Sequence, residues 1–335
     1  MKKIQLIAET AWHHDGDFNF MKSLIEEIIS KTKTDYIKLH LSLDFDEYMS
    51  KKHPAYSFLE ERLLSESKWT EIINKIQKSD KKIMLLFNDK KAIDFGMKFN
   101  PDLVEIHSVC LNDIALLKHL KENIKKETKI VLGVGGSTLY EIENAINILE
   151  NDNIVLMHGF QNYPTKYTDI NFQKVKKIMS LFPNFEHGYA DHTAWNNENN
   201  VMITLFGASI GVQYVEKHIT TTYGEERTDW QAAINFEMFN ELQQKIEVLN
   251  DCLGDGLLDL NEGEKKYSIF GPNKKAGILN KDKKAGNTIT EDDIVFIRTK
   301  ELTDLSQTEI INAFGKKVKI DLQRDHCLQK SDIEF

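Results

Sequence analysis

Cysteine is scarce and scattered in this chain: Cys110, Cys252 and Cys327 lie far apart in 335 residues. So sparse a set builds neither a disulfide framework nor a zinc knuckle, and an odd number of thiols suits a reducing compartment. No apolar run approaches the roughly 20 residues that span a bilayer, which argues against a membrane partner. The opening Met1-Lys2-Lys3 and Ile4–Glu9 turn polar too soon for a signal peptide, so the expected location is cytoplasmic. A basic surplus is also missing. Lys and Arg number 43 against 52 Asp and Glu, a net charge of -9. A nucleic-acid binder needs a basic face to offset phosphate charge, so nucleic acid is excluded as a partner. Apolar content of 41% and charged content of 28% are those of an ordinary globular chain.

What is present is a repeated theme of a short β-branched run followed by a helical pattern. Strands are expected at Ile4–Glu9, Tyr36–Ser42, Lys82–Asn88, Leu103–Ser108, Lys129–Gly135, Asn153–Gly159, Glu186–His192 and Tyr214–Thr220. Between them, Phe20–Thr32, Lys68–Lys78, Asp113–Asn123, Leu139–Leu149 and Phe172–Leu181 carry apolar residues three and four apart. Eight such units predict an α/β fold, the (β/α)8 TIM barrel, over residues 1–255. An open doubly wound sheet would place a Gly-rich phosphate turn after the first strand, and none stands there. Residues 256–273 read as a linker, and 274–335, with short alternating runs and turn signals, as a small mostly-β domain.

In a barrel the C-terminal ends of the strands converge on one mouth. They bring Glu9 and His14, Lys38 and His40, Asn88 and Asp89, then Glu105, His107 and Ser108. His158, Gln161 and Tyr163 follow, then Asp191 and His192, then Glu216 and His218, with Asp229 in the last loop. Two imidazoles leaving neighbouring strands, His192 and His218, can grip one divalent ion with positions left for water and substrate; as bland an alternative, they are hydrogen-bonded core histidines. Manganese, zinc and iron all suit nitrogen and oxygen donors of this kind. Lys38, pointing inward, must meet an anion or a carboxylate, and Glu9 and Glu105 are the structural candidates. Gly133-Val134-Gly135-Gly136 before a helix either seats a phosphate or forms an ordinary turn with a capped helix.

Taken together these motifs resemble the sialic acid (N-acetylneuraminate) synthase family over nearly the whole chain. The matching stretches are Ala8-Glu9 with His14 and Gly16, Ile37-Lys38-Leu39-His40, Tyr163-Pro164-Thr165, Gly188-Tyr189-Ala190-Asp191-His192-Thr193 and Val215-Glu216-Lys217-His218. The tail is similar to the family's antifreeze-like (SAF, β-clip) domain at Lys284-Ala285-Gly286-Asn287-Thr288-Ile289-Thr290 and at Phe314-Gly315-Lys316-Lys317. The resemblance implies condensation of phosphoenolpyruvate with an N-acylmannosamine-type sugar to a nine-carbon 2-keto acid, with release of phosphate. It implies a domain-swapped homodimer and a divalent cofactor, Mn2+ above others, held by His192 and His218. It makes Glu9, Lys38 and Asp229 catalytic. It assigns His14, Ser108, Gln161, Tyr163, Asp191, Glu216 and Arg298 to substrate, with Arg298 reaching the sugar's N-acyl group from the other subunit.

The chain departs from the family where the donor phosphate would sit. A Lys-Ile-Gly-Ser strand is here Glu105-Ile106-His107-Ser108, and a Ser-Thr-Pro-Phe strand end is Leu86-Phe87-Asn88-Asp89. A glutamate in place of a phosphate-binding lysine turns attraction into repulsion. Two alternatives therefore stand beside the synthase reading: aldolase-type carbonyl chemistry without phosphoenolpyruvate, and a non-catalytic sugar-binding homologue.

Overall fold

The computed structural model describes residues 3–159, 162 and 164–334, so Gln161 and Tyr163 lie outside the described residues. Eight parallel strands close into a barrel, each pairing with the next and the eighth returning to the first. They are β1 (Gln5–Glu9), β2 (Tyr36–Leu41), β3 (Lys82–Phe87), β4 (Leu103–Ile106), β5 (Lys129–Gly133), β6 (Ile154–His158), β7 (Glu186–Asp191) and β8 (Tyr214–His218). The expected (β/α)8 barrel is the observed one. β1 ends at Glu9 as expected, and the other seven strands end one or two residues inside their expected spans, because the ladder stops where the chain turns to build the mouth.

Two apolar layers hold the barrel. Inside, Ile7, Tyr36, Met84, Leu103, Val131, Val155, Met157 and Tyr214 pack together below the mouth. Outside, alternate strand residues such as Ile37, Leu85, Val104 and Leu132 meet the helices. The first helix, Phe18–Lys31, shows why a helix forms and stops where it does. Asp17 caps its start by accepting from the amides of Asn19 and Phe20, and the hydroxyl of Thr32 closes its end on the Ile28 carbonyl. Met21, Leu24, Ile25 and Ile28, at helical spacing, form the buried face.

Two long helices, Asn200–Ser209 and Phe236–Leu253, are absent from the expected set. The first is apolar on most sides and buries Val201, Ile203, Gly207 and Ala208, so no polar face marks its period. Against it sits the Tyr189 ring, in space that only a glycine at 207 leaves free.

The chain divides into two compact units, Met1–Asp255 and Gly256–Phe335. The second has its own core of Leu279, Ile289, Leu305, Ile310, Val318 and Ile333. Among the described residues its regular sheet is the antiparallel pair β9 (Ala276–Leu279) and β10 (Ile294–Ile297). The expected linker, residues 256–273, contains the helix Glu262–Tyr267, held at its start by a reciprocal Asn261–Glu264 capping box. Among the described residues no helix is long and apolar enough to cross a membrane.

Gly207→Ala is expected to push a methyl group into the buried Tyr189 ring and cost about 1–3 kcal/mol. Urea unfolding checks this, and an unchanged midpoint would mean that Tyr189 has room to yield.

Candidate active site

Closure of the barrel places β1 between β2 and β8. Glu9 is therefore in register with Lys38 on one side and His218 on the other. Inward and outward residues alternate along each strand. On β8, Glu216 and His218 face a cavity while Lys217 faces out; at the end of β7, Ala190 and the following His192 face in while Asp191 faces out. The cavity, about 190 Å3, opens at the strands' C-terminal ends. Its charged and imidazole lining comprises Glu9, Lys38, Glu105, Glu216, Asp229, His40, His107, His158, His192 and His218.

One ammonium sits at its centre. Lys38 Nζ lies 2.7 Å from Glu105, 2.9 Å from Glu216 and 3.2 Å from Glu9. Burial opposes the lysine's charge, but the three carboxylates together hold its pKa well above the ordinary value. Burial likewise pulls the Glu9 carboxyl upward, and the Lys38 ammonium outweighs it, so Glu9 ends below its ordinary value and ionised. Burial pushes Glu105 up to about 8, and raises Glu216 as well. Three carboxyl groups around one ammonium cannot all ionise in a dry site, and the proton load falls on Glu105 and Glu216.

On the opposite side His192 and His218 stand edge to face, ring centroids 5.1 Å apart, and His218 Nε2 is 3.3 Å from Glu9. Burial pushes both imidazoles down to about 3, which leaves them neutral. Among the described residues, no group of three or more His, Cys, Asp or Glu side chains is arranged to hold a metal ion. What the site offers is an imidazole pair with one carboxylate beside it.

The other expected residues separate into three groups. Glu9, Lys38, Glu216, His192, His218 and Asp229 meet at the cavity. Asp229 is held there at φ 64°, with its carboxylate accepting from the Trp12 amide at 3.3 Å. Asp191 and His14, expected at the substrate, do not line it. Asp191 pairs with Lys217 on the outer face of the barrel, neither side chain exposed, and accepts from the hydroxyls of Thr193 and Thr204 at 2.8 and 2.9 Å. Strand alternation sends it opposite to His192. His14 packs between Trp12 and Trp69, and His13 takes the place near His218 instead, 5.7 Å between ring centroids. Left-handed backbone at Ala11 and Asp15 breaks the strand period there, so side-chain direction cannot be read from it. Ser108 is buried at the end of β4 and is absent from the cavity lining. Arg298 belongs to the second unit, where its Nε donates to the Pro272 carbonyl at 2.8 Å.

Gly133–Gly136 forms the ordinary turn. The helix after it carries its own anion, Glu141, which accepts from the Thr138 amide and hydroxyl, both at 2.8 Å. Reading by strand ends missed the apolar wall of Trp12, Tyr48, Leu59 and Met157. It also missed Asp15, which ties the first loop to the last by accepting from the Thr228 amide and hydroxyl at 3.1 and 2.6 Å. Only Asp15, as a turn residue before Gly16, gave any local signal.

Comparison with known proteins places these residues in context. A sequence profile described as the NeuB family matches residues 25–257. The N,N'-diacetyllegionaminic acid synthase of Campylobacter jejuni is 26% identical over 308 residues, covering 87% of this chain and 89% of that protein. The pseudaminic acid synthase of the same species is 24% identical over 349 residues, covering 99% of this chain and 97% of that one. The crystal structure of the N-acetylneuraminic acid (sialic acid) synthetase of Leptospira borgpetersenii, in complex with citrate, shares the fold. Its TM-score is 0.72 at 21% identity, covering 79% of this chain and 90% of that one.

The buried quartet has a consequence for stability. The ordinary value for Glu105 is 4.5 and the folded value about 8. Between them the folded protein keeps a proton that the unfolded chain releases, so stability is full below the lower value and falls as pH rises through the upper one. Glu105→Gln is expected to flatten this fall, measured as urea midpoints from about pH 5 to about pH 9. An unaltered slope would mean that Glu105 is ionised throughout.

Proposed function

The chain belongs to the NeuB family, and from that membership we propose that it joins a three-carbon 2-oxo-acid unit to the aldehyde carbon of an N-acylmannosamine-type sugar. The product is a nine-carbon 2-keto acid of the nonulosonic type. The observation that carries the reading is the meeting of Glu9, His192, His218 and Asp229 in one cavity at the C-terminal face of the barrel. With phosphoenolpyruvate as donor, a bond forms between its C3 and the aldehyde carbon, and the aldehyde oxygen takes a proton. Water adds at C2 and phosphate leaves.

His192 and His218 would hold a divalent cation, manganese in the first instance. Two neutral imidazoles offer such an ion two nitrogen donors, with the remaining positions open to water and sugar. When bound, that ion would supply Lewis-acid polarisation of the aldehyde. The protein's own groups do the rest. Glu9, kept ionised beside Lys38, accepts a proton from water; Asp229, held by the Trp12 amide, orients the sugar; Glu216, held protonated, donates a hydrogen bond. The apolar wall of Trp12, Tyr48 and Leu59 limits water. By the same resemblance, the second unit caps the mouth of a partner subunit in a homodimer and carries Arg298 to the sugar.

A specific observation favours a second reading, aldol-type addition of an unphosphorylated donor such as pyruvate. Among the described lining residues Lys38 is the one ammonium, and it already serves three carboxyl groups. A phosphate dianion would have to draw it away from them.

The deciding experiment incubates the protein with manganese, N-acetylmannosamine and either phosphoenolpyruvate or pyruvate, and follows phosphate release and the nine-carbon acid by mass spectrometry. Product with phosphoenolpyruvate supports the first reading, product with pyruvate alone the second, and neither product overturns both. His218→Ala is expected to weaken manganese binding, measured by calorimetry, by about 100-fold or more, since even supporting residues of metal sites cost 10–100-fold. Undiminished affinity would refute the ligand assignment.

A further inference from the structure

One histidine at the cavity has its hydrogen positions dictated by a chain of partners that leads away from the reacting centre. His158 closes β6 and lines the cavity, and its Nε2 is 3.0 Å from Nδ1 of His187. Nε2 of His187 in turn lies 3.1 Å from the Phe182 carbonyl. A carbonyl oxygen only accepts, so His187 Nε2 carries the hydrogen. In the neutral imidazole one nitrogen donates and the other accepts. His187 Nδ1 is therefore the acceptor, and His158 Nε2–H donates to it. The two rings stack at 5.3 Å and 19°. Both are buried, and burial lowers the pKa of each.

We propose that His158 presents Nδ1 to the cavity as a permanent hydrogen-bond acceptor, set in that tautomer by His187, and that it recognises an uncharged donor of the substrate, a hydroxyl or amide N–H. His187 is the positioning residue. It touches no substrate and acts through the ring it orients. The arrangement discriminates. A phosphate or carboxylate oxygen brings no hydrogen to Nδ1 and would face its lone pair, whereas a sugar hydroxyl or an N-acyl N–H completes the bond. A site whose buried acceptor must be satisfied rejects ligands that lack the matching donor. The same wall shows the device again at His40. There Nδ1 accepts the Trp12 indole N–H at 2.9 Å, so the hydrogen of the neutral ring is on Nε2.

The identity of the donor group rests on the proposed sugar substrate; the tautomer does not, and the test separates the two. Long-range proton–nitrogen NMR of the full chain labelled with 15N-histidine, assigned with His158→Gln, is expected to show His158 protonated at Nε2 and bare at Nδ1 at neutral pH. A proton on Nδ1, or an imidazolium, would overturn the proposal whatever the substrate. Calorimetry with N-acetylmannosamine then reads the function. His187→Phe is expected to weaken binding roughly tenfold, the scale of one hydrogen bond, and His187→Gln, whose amide oxygen again accepts from Nε2–H, to restore most of it. Equal affinity in all three proteins would show that Nδ1 receives nothing from the sugar and would sink the recognition claim. Absence of binding to the unaltered protein would count against the sugar reading alone, with the NMR spectrum still deciding the tautomer.

Discussion

Three carboxyl groups share the ammonium of Lys38, and that sharing sets the charge of the whole cavity. A lysine this deep in a barrel is tolerable only because Glu9, Glu105 and Glu216 surround it. Those carboxyl groups are tolerable only because two of them hold protons. The result is a polar but nearly neutral floor. Glu9, the member that stays ionised, is also the one beside His218. The quartet and the imidazole pair thus meet at a single carboxylate, so a change in either is felt by the other.

That coupling depends on closure of the barrel. Only when β8 pairs with β1 do residues more than two hundred positions apart stand in register. A parallel ladder leaves little freedom in how they do so, because a one-residue slip would either turn Glu9 outward or bring Lys217 inward. The ion pair of Lys217 with Asp191 on the outer face opposes such a slip between the two strands that carry His192 and His218. Residues absent from the cavity thereby help to determine what enters it. His187, behind His158, belongs with them.

The chain shares the family's architecture. Glutamate at position 105 and the neutral histidines 40, 107 and 158 make a wall suited to uncharged polar groups rather than to phosphate. Relatives named for legionaminic and pseudaminic acid synthesis differ in their sugars, and divergence within one cavity is the ordinary way a barrel changes specificity.

Eight strand–helix units and the inward placement of Glu9, Lys38, Glu216, His192 and His218 were legible in the sequence. β-branched runs and period-two alternation are local signals that survive without a structure. Where alternation held, as on β8, Glu216 and His218 face inward as the period predicts. Where it broke, as in the left-handed loop after β1, His13 and His14 exchanged places. Where both phases of a strand were polar, as around Asp191, the outward residue looked as functional as the inward one. The helix Asn200–Ser209 stayed hidden because its exposed side carries Met202 and Phe206, so no polar face reveals a period. The sequence by itself therefore determined the barrel and which strands bear chemistry, since both follow from local periodicity. Tertiary structure alone decided that three carboxyl groups converge on Lys38, that Asp15 and Asp229 lock the first loop to the last, and that His187 sets the hydrogens of His158. These are contacts between distant segments, fixed by ring closure and by the bends of loops, and no local pattern encodes them.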